Sequence, residues 1–387
     1  MPQTVIVDAV RTPIGRFGGG LAEFSAAELA AHLIKALVER NGIPGDQVDE
    51  VILGQVIQAG SGINVARQAA ISAGLPVSVC ACTINKACAS GMKAIEMAQR
   101  AISLGEGSIY LAGGTESMSN VPFLVNEMRW GHKLGHVEMV DGVVDGLTCS
   151  VCGMGMGLTA EEIASRTGIT REQMDAWALR SQERAAAAIA AGTFAPEIIP
   201  VPRKKDEPAA VDEHPRETSL EALANLRPAF KPDGCITAGN ASGINDGAAM
   251  CLVADASRAK QMGWQARARV VGSACAGIEP EVMGLGPVDA VRKLCEKLDV
   301  SVDDFELVEL NEAFAVQALA VIRQLGLDEE KVNVNGSGIA LGHPIGATGA
   351  RIVTSLLYEM ERRDLRLGLA TLCIGGGMGM AIAIERP

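Results

Sequence analysis

Asn335-Gly-Ser-Gly-Ile-Ala-Leu-Gly-His-Pro-Ile-Gly-Ala-Thr-Gly349 is the stretch around which the chain organises itself. It carries five glycines, one proline and one of only five histidines. Glycine lacks a Cβ, so the backbone can turn sharply here and another group can approach it closely. The run that follows, Ala350-Arg-Ile-Val-Thr-Ser-Leu-Leu-Tyr-Glu-Met360, has apolar residues at three- and four-residue spacing and predicts a helix. His343 is therefore expected on a tight turn before a helix N-terminus, where backbone N–H groups point outward. Taken alone, the stretch also reads as a glycine-rich connection with an incidental surface histidine.

Working outward, the order of elements repeats. In the first third, Thr4–Val10, Val48–Gly54, Ala81–Asn85 and Ser108–Gly114 read as strands, and 25–41, 64–73 and 87–103 as helices. In the last third, 268–273, Phe305–Leu310, Val332–Asn335 and Leu367–Cys373 read as strands, with helices over 287–298, 313–325 and from Ala350. The Cys88 turn and its helix match the His343 turn and its helix. Gly113-Gly114 before Thr-Glu-Ser-Met matches Gly375-Gly-Gly-Met378. This is the pattern of an internally duplicated α/β unit. The region from Ser119 to Gly239 breaks the repeat. It has an exposed charged run, Pro200–Pro208, and a strong helix capped by Thr170. It is expected to cover a site. The implied division is 1–118 with 240–265, an insertion over 119–239, and 266–387.

Composition narrows the function. The 387 residues are 48% apolar but only 3% aromatic, so the core must rest on Ala, Val, Ile, Leu and Met. The net charge of −12 argues against a general nucleic-acid or anionic-membrane surface. No apolar stretch approaches the ~18 residues of a membrane span. The expectation is a cytoplasmic protein whose ten cysteines are reduced. Cys149-Ser-Val-Cys152 has metal-site spacing without a matching second pair, so no metal is expected. His132, His136 and His214 read as surface residues, and His32 as structural.

Cys88 lies just before a helix, where the macrodipole favours a thiolate. Pseudo-symmetry would bring its turn to that of His343, making a nucleophile and a base. Cys373 ends a strand and precedes Ile374-Gly-Gly-Gly377, whose N–H groups suit an oxyanion hole. Asn311-Glu-Ala-Phe314 also follows a strand.

Together, Asn311-Glu-Ala-Phe314, Gly342-His-Pro344, Cys373-Ile-Gly-Gly-Gly377, the Cys88 turn and Thr237–Gly247 resemble the thiolase family over essentially the whole chain. The resemblance implies two pseudo-symmetric thiolase-type α/β domains, each with a mixed sheet between helices, and a loop domain over a coenzyme A tunnel. It implies reversible Claisen condensation of acyl-CoA with acetyl-CoA, with acetyl-CoA, acyl-CoA and free CoA as substrates, no bound cofactor, and a homotetramer or homodimer. Cys88 would carry the acyl group and His343 would activate it. Asn311 would hold a water, and Cys373 would move the α-proton. Gly375 N–H would join Cys88 N–H at the acyl-enzyme oxygen. Ser242, Phe230, Met156, Ala313 and Phe314 would line the substrate path. Arg216, with the 203–205 run, would meet CoA phosphates. Gly155 stands where the family's biosynthetic members resemble one another in having a histidine. That departure implies a wider pocket, while Trp130–Gly135 and Asp212–Arg216 look like the short-chain group. A short-chain acetyltransferase is thus expected. The alternatives are a broader-chain degradative thiolase and, more distantly, a non-catalytic acyl-CoA-binding relative.

Overall fold

Two units with the same strand order frame the molecule, and the computed structural model describes them over residues 2–387. The first contains β1 (Thr4–Arg11), β2 (Glu50–Gly54), β3 (Cys80–Ile84), β4 (Ile109–Ser117) and β5 (Asn245–Asp255). Their spatial order is β3-β2-β4-β5-β1. The strand β2 is parallel to β3 and β4, and β5 is antiparallel to β4 and β1. The second unit contains β6 (Ala268–Gly277), β7 (Leu307–Leu310), β8 (Leu367–Ile374) and β9 (Met378–Glu385) in the order β7-β8-β9-β6, with the same directions. The duplication legible in the sequence is therefore present in four strands of each unit, and β3 has no full counterpart in the second.

The expected strand Val332–Asn335 is reduced to one parallel bridge, Val308 to Val332. Asn333 takes φ 50°, and its side chain accepts from Leu310 N–H and donates to Leu310 O, both at 2.8 Å. A side-chain amide thus replaces the next rung of the ladder. The two units also meet edge to edge. Val5 faces Arg269 and Ile6 faces Ala268, antiparallel, so these nine strands run as one sheet, with the two-residue strand Gly15–Arg16 added on β5 as a tenth. The sequence, read as two separate sheets, does not foretell this junction.

The helices that place the site are α1 (Ala26–Asn41), α2 (Val65–Ser72), α3 (Ser90–Leu104), α4 (Met156–Thr167), α5 (Arg171–Ala190), α6 (Gly286–Leu298), α7 (Ala315–Leu325) and α8 (Ile345–Arg363). Ser25 and Thr170 each close a capping box. Alternation along the strands sorts side chains into layers. Val5 and Val7 pack with Leu29 and Leu33 of α1. Ile6 and Ala9 face the other way, into a core shared with Met92 of α3 and Leu356 of α8. On β9, Met380 and Ile382 enter that same central core, while Ala381 and Ala383 join α6 and α7. Five layers result: helices, sheet, α3 with α8, sheet, helices.

The central pair is very close. A Cβ on Gly349 would lie 2.5 Å from Met92 N, and one on Gly91 would lie 2.9 Å from Ala350 N. Only glycine permits this approach. The insertion is fastened to both units. Ile163 of α4 and Trp177 of α5 share the core of α6 and α7. Arg11, fully buried at the end of β1, pairs with Glu197 at 2.5 Å and with both Asp212 oxygens at 2.6 and 2.9 Å.

Candidate active site

The chain leaves β3 and reaches α3 through a turn fastened by its own side chains. Asn85 accepts from Ala87 N–H at 2.9 Å. Ser90 accepts from Lys86 N–H at 2.8 Å and donates to Ala87 O at 2.7 Å. Ala87 is thereby held at φ 44°, a conformation an alanine keeps only when its surroundings fix it. Cys88 follows, deep in the molecule but still partly accessible. The N–H of Gly375, across from the other unit, reaches its sulfur. Burial pushes the Cys88 thiol up, and Glu116 adds to this. The N–H groups of Gly375 and of Cys88 itself oppose it without prevailing. The expectation of a thiolate stabilised by the helix start is thus overturned. Desolvation outweighs the dipole, and Cys88 rests as a thiol that needs a base.

The candidate base, His343, lies on the matching turn of the other unit. Gly342, at φ 102°, turns the chain so that His343 enters just ahead of α8. Three contacts lock His343. Its N–H donates to Asn245 Oδ1 at 2.9 Å, Nδ1 lies 2.7 Å from Thr348 Oγ1, and Nε2 lies 3.5 Å from Asn311 Nδ2. Thr348 donates its own proton to Pro344 O at 2.9 Å. Its oxygen therefore accepts from Nδ1–H, which leaves a lone pair on Nε2. Burial, with Arg351 nearby, pushes His343 down to about 3. It is neutral at pH 7 and free to accept a proton.

Asn311 sits at the end of β7, its N–H on Thr371 O at 3.0 Å. Its Oδ1 is buried without a partner among the described residues. The next residue, Glu312, is fixed by Trp177 Nε1 (3.0 Å), Ser181 Oγ (2.7 Å) and Asn333 Nδ2 (2.9 Å), so the insertion and the Asn333 device both steady this motif. Cys373 is buried near the end of β8, opposite Gly379. Burial and the neighbouring Cys88 push its thiol strongly up.

The residues expected along the substrate path also come together. Phe230 meets Phe314 edge to face at 6.2 Å and lies over Gly157 of α4. Ser242 N–H donates to Ala313 O at 2.9 Å. Met156 Sδ lies 3.4 Å from where a Cβ on Gly375 would stand. Gly155 caps α4, and a Cβ there would meet nothing within 4 Å. Arg216 is exposed and donates to Ala238 O at 2.6 Å, at the start of the loop leading to Ser242. Arg203 is instead engaged in its own loop, by Glu207 O at 2.7 Å and Asp206 at 3.9 Å. His214 is not the surface residue expected. Its ring lies against Gly243, and burial, with Arg216, pushes it down to about 4. His32 is structural as expected, 2.9 Å from Pro200 O.

Sequence reasoning missed three residues: Thr348, Asn245 and Glu116. Thr348 lay in the opening stretch itself, five residues after His343. The buried Glu116 accepts from Val56 N–H, Ile57 N–H and the Gly346 N–H at the start of α8, at 3.0, 3.2 and 2.9 Å. Among the described residues there is no cluster of three or more His, Cys, Asp or Glu arranged to hold a metal ion. No described helix is long and apolar enough to cross a membrane.

Comparison with known proteins places the chain. The family model "Thiolase, N-terminal domain" matches residues 4–257, and "Thiolase, C-terminal domain" matches 264–386. The chain belongs to the thiolase family. It is 53% identical over 391 residues to the acetyl-CoA acetyltransferase of Chromobacterium violaceum, covering 100% of both chains. It is 51% identical over 392 residues to that of Escherichia coli, again over 100% of both. The crystal structure of the Bacillus anthracis acetyl-CoA acetyltransferase superposes with a TM-score of 0.98 at 48% identity, over 100% of this chain and 99% of that one. Human mitochondrial 3-ketoacyl-CoA thiolase superposes with a TM-score of 0.97 at 41% identity, over the same shares.

Proposed function

We propose that the protein is a short-chain thiolase, an acetyl-CoA C-acetyltransferase that condenses two acetyl-CoA to acetoacetyl-CoA and CoA and runs in reverse. What carries this reading is a pair of raised thiols, Cys88 and Cys373, that influence each other, with Cys88 packed beside Ile345, two residues after the neutral His343. The full-length relatives named acetyl-CoA acetyltransferase support the short chain. The broader-chain degradative reading has less support.

The protonation states order the steps. His343 Nε2 takes the Cys88 proton, and the thiolate adds to the acetyl carbonyl. The N–H groups of Cys88 and Gly375 receive the oxyanion. The CoA thiolate leaves and needs a proton. If Cys373 gives it, Cys373 becomes the base that the second half-reaction requires. Cys373 then removes the α-proton of the second acetyl-CoA. The enolate oxygen is met by Nε2–H of the charged His343 and by a water on Asn311. The enolate attacks acetyl-Cys88, the Cys88 thiolate departs, and it recovers its proton from His343. Every proton is returned, and no bound cofactor enters. Ser242, Phe230, Met156, Ala313 and Phe314 would line the pantetheine path, with Arg216 at its outer end beside the phosphates.

We place the enzyme in the cytoplasm as a homodimer or homotetramer. The exposure of Trp130 and Leu134, 93% each, supports association. The decisive experiment is simple. Purified protein should form acetoacetyl-CoA from acetyl-CoA and cleave it with free CoA faster than longer 3-ketoacyl-CoA. Activity in neither direction would defeat the proposal, and a preference for long chains would favour the degradative reading.

A further inference from the structure

Cys149-Ser-Val-Cys152 lies outside the catalytic set but borders it. The segment is a closed turn. Gly153 N–H donates to Cys149 O at 2.7 Å, Cys149 N–H to Met154 O at 2.8 Å, and Met156 N–H to Leu147 O at 2.9 Å. Thr148 and Gly155 pair across it. Cys149 is 4% exposed, Cys152 is half-buried, and Val151 between them is 73% exposed.

The two thiols influence each other's charge, Cys152 favouring the charged form of Cys149 and Cys149 disfavouring that of Cys152. The N–H groups of Cys152, Val151 and Gly376 lie near enough to favour the charged form of Cys149 as well. Gly375 N–H serves Cys88, and the next N–H, that of Gly376, serves Cys149. Consecutive peptides of one glycine turn are thus held by two different thiols. Met156, at the end of the cysteine turn, packs 3.4 Å from the Cβ position of Gly375. Burial would push the Cys149 thiol up, but the donors around its sulfur outweigh it and bring it below the ordinary range. The Cys152 thiol is raised, by burial and by its closeness to Cys149.

We propose that Cys149 and Cys152 are a redox-modification site, which a hydroperoxide converts to an intramolecular disulfide that shifts the Gly375–Gly376 turn. The Gly153-to-Cys149 bond closes one helical-type turn, which sets residues three apart about 5–6 Å from each other, within the span a disulfide can bridge. A small oxidant suits a sulfur as enclosed as that of Cys149. The Cys149 thiolate attacks one peroxide oxygen, the O–O bond breaks, and hydroxide leaves and is protonated to water. The resulting sulfenic acid is attacked at sulfur by the Cys152 thiolate. The S–S bond forms, the S–O bond breaks, and a second water departs. Two thiols lose two electrons, and the peroxide takes them. A disulfide sulfur is a weaker acceptor than a thiol or thiolate, so Gly376 N–H is released and the neighbouring Gly375 N–H moves relative to Cys88. This second consequence rests on the thiolase reading; the disulfide itself does not.

The test uses the full-length protein, limiting hydrogen peroxide and N-ethylmaleimide trapping. The tryptic segment from Leu134 to Arg166 holds just these two of the ten cysteines, while Cys88 falls in Ala87–Lys93. The expected result is a 134–166 segment lighter by two hydrogens that takes up no maleimide. Turnover should fall roughly tenfold, a fraction of the loss of a whole oxyanion donor, and should return on treatment with dithiothreitol. Cys152→Ser should match the parent in turnover when reduced and should lose the reversible inhibition. The proposal is overturned if both cysteines of the segment stay alkylated at doses that already block Cys88. It is equally overturned if Cys152→Ser is inhibited as reversibly as the parent. A protein with no acyl transfer even when reduced would instead defeat the thiolase reading, while the mass of the 134–166 segment still decides the disulfide.

Discussion

The Cys88 turn and the His343 turn occupy the same place in two copies of one unit, each leading into a helix of the central layer. They are finished differently. The Cys88 turn is bonded mainly within itself, through Asn85 and Ser90, with Asn85 also donating to Val56 O at 3.0 Å, and Cys88 stays partly accessible. The His343 turn is buried and bonded across the molecule, to Asn245 ninety-eight residues away, to Thr348 and to Asn311. Around them, α8 is buried over most of its length, whereas α3 is buried along one face. A nucleophile must be reached by substrate and must change its bonding partner. A base must keep one lone pair aimed. The duplicated fold supplied two equivalent helix starts, and the sequence then specialised one for access and the other for rigidity.

The sharpest way to break this comparison is to remove the proposed nucleophile. Cys88→Ala should lower condensation about 10⁴-fold or more, since binding and oxyanion donors alone remain. The protein should melt near the parent temperature, because the turn is held by Asn85 and Ser90. Turnover within tenfold of the parent would reassign the acyl carrier. The next effect falls on the other turn. Thr348→Val keeps the shape but removes the acceptor for Nδ1–H, so the proton can move to Nε2 and occupy the lone pair. A loss of about a hundredfold in kcat with little change in KM is expected, by analogy with other misoriented bases. Equal loss in KM would point to a general disturbance of the site.

A third prediction concerns the contact between the two helices. Gly349→Ala places a Cβ 2.5 Å from Met92 N. Forcing α3 and α8 apart should cost about 1–3 kcal/mol, read as a lower denaturation midpoint. Unchanged stability would mean that the central layer is looser than the glycine contacts imply.

Much of this was legible because it is local. Gly342-His343-Pro344 announces its turn, and the repeat identifies Cys88 as its counterpart. Alternation and capping residues gave the helices at Ser25 and Thr170 within a residue or two. What escaped is non-local or buried. The strand β5 is long and central, yet Asn245-Asp-Gly-Ala-Ala-Met-Cys-Leu-Val-Ala-Asp255 is almost wholly buried and shows no alternation to read. Val332–Asn335 has a strand's composition, but Asn333 substitutes its side chain for the ladder. The roles of Asn245 and Glu116 rest on bonds across 98 and 230 residues, which no spacing rule reaches. The state of Cys88 was misjudged for a related reason. A helix start is visible in sequence, but the desolvation that outweighs it is a property of the packed molecule.

Glu116 gives the subtlest test, because it touches both turns. Its carboxylate accepts from Gly346 at the start of α8, and its charge is among the causes that raise Cys88. Burial pushes Glu116 itself up to about 8, so it is ionised by the time a raised thiol titrates. Glu116→Gln removes that charge while keeping one acceptor oxygen. The pH at which iodoacetamide reacts half-maximally with Cys88 should move down, by less than about one unit for a single charge in this setting. Stability should change with the opposite logic. A raised carboxyl is most favourable to folding below its unfolded value near 4.5, and that contribution is lost as pH rises through about 8. The Gln variant should therefore show a flatter melting temperature between pH 5 and 8 than the parent. If the alkylation profile stays fixed while the melting profile flattens, Glu116 fastens α8 without tuning Cys88, and the two turns are coupled through the backbone alone.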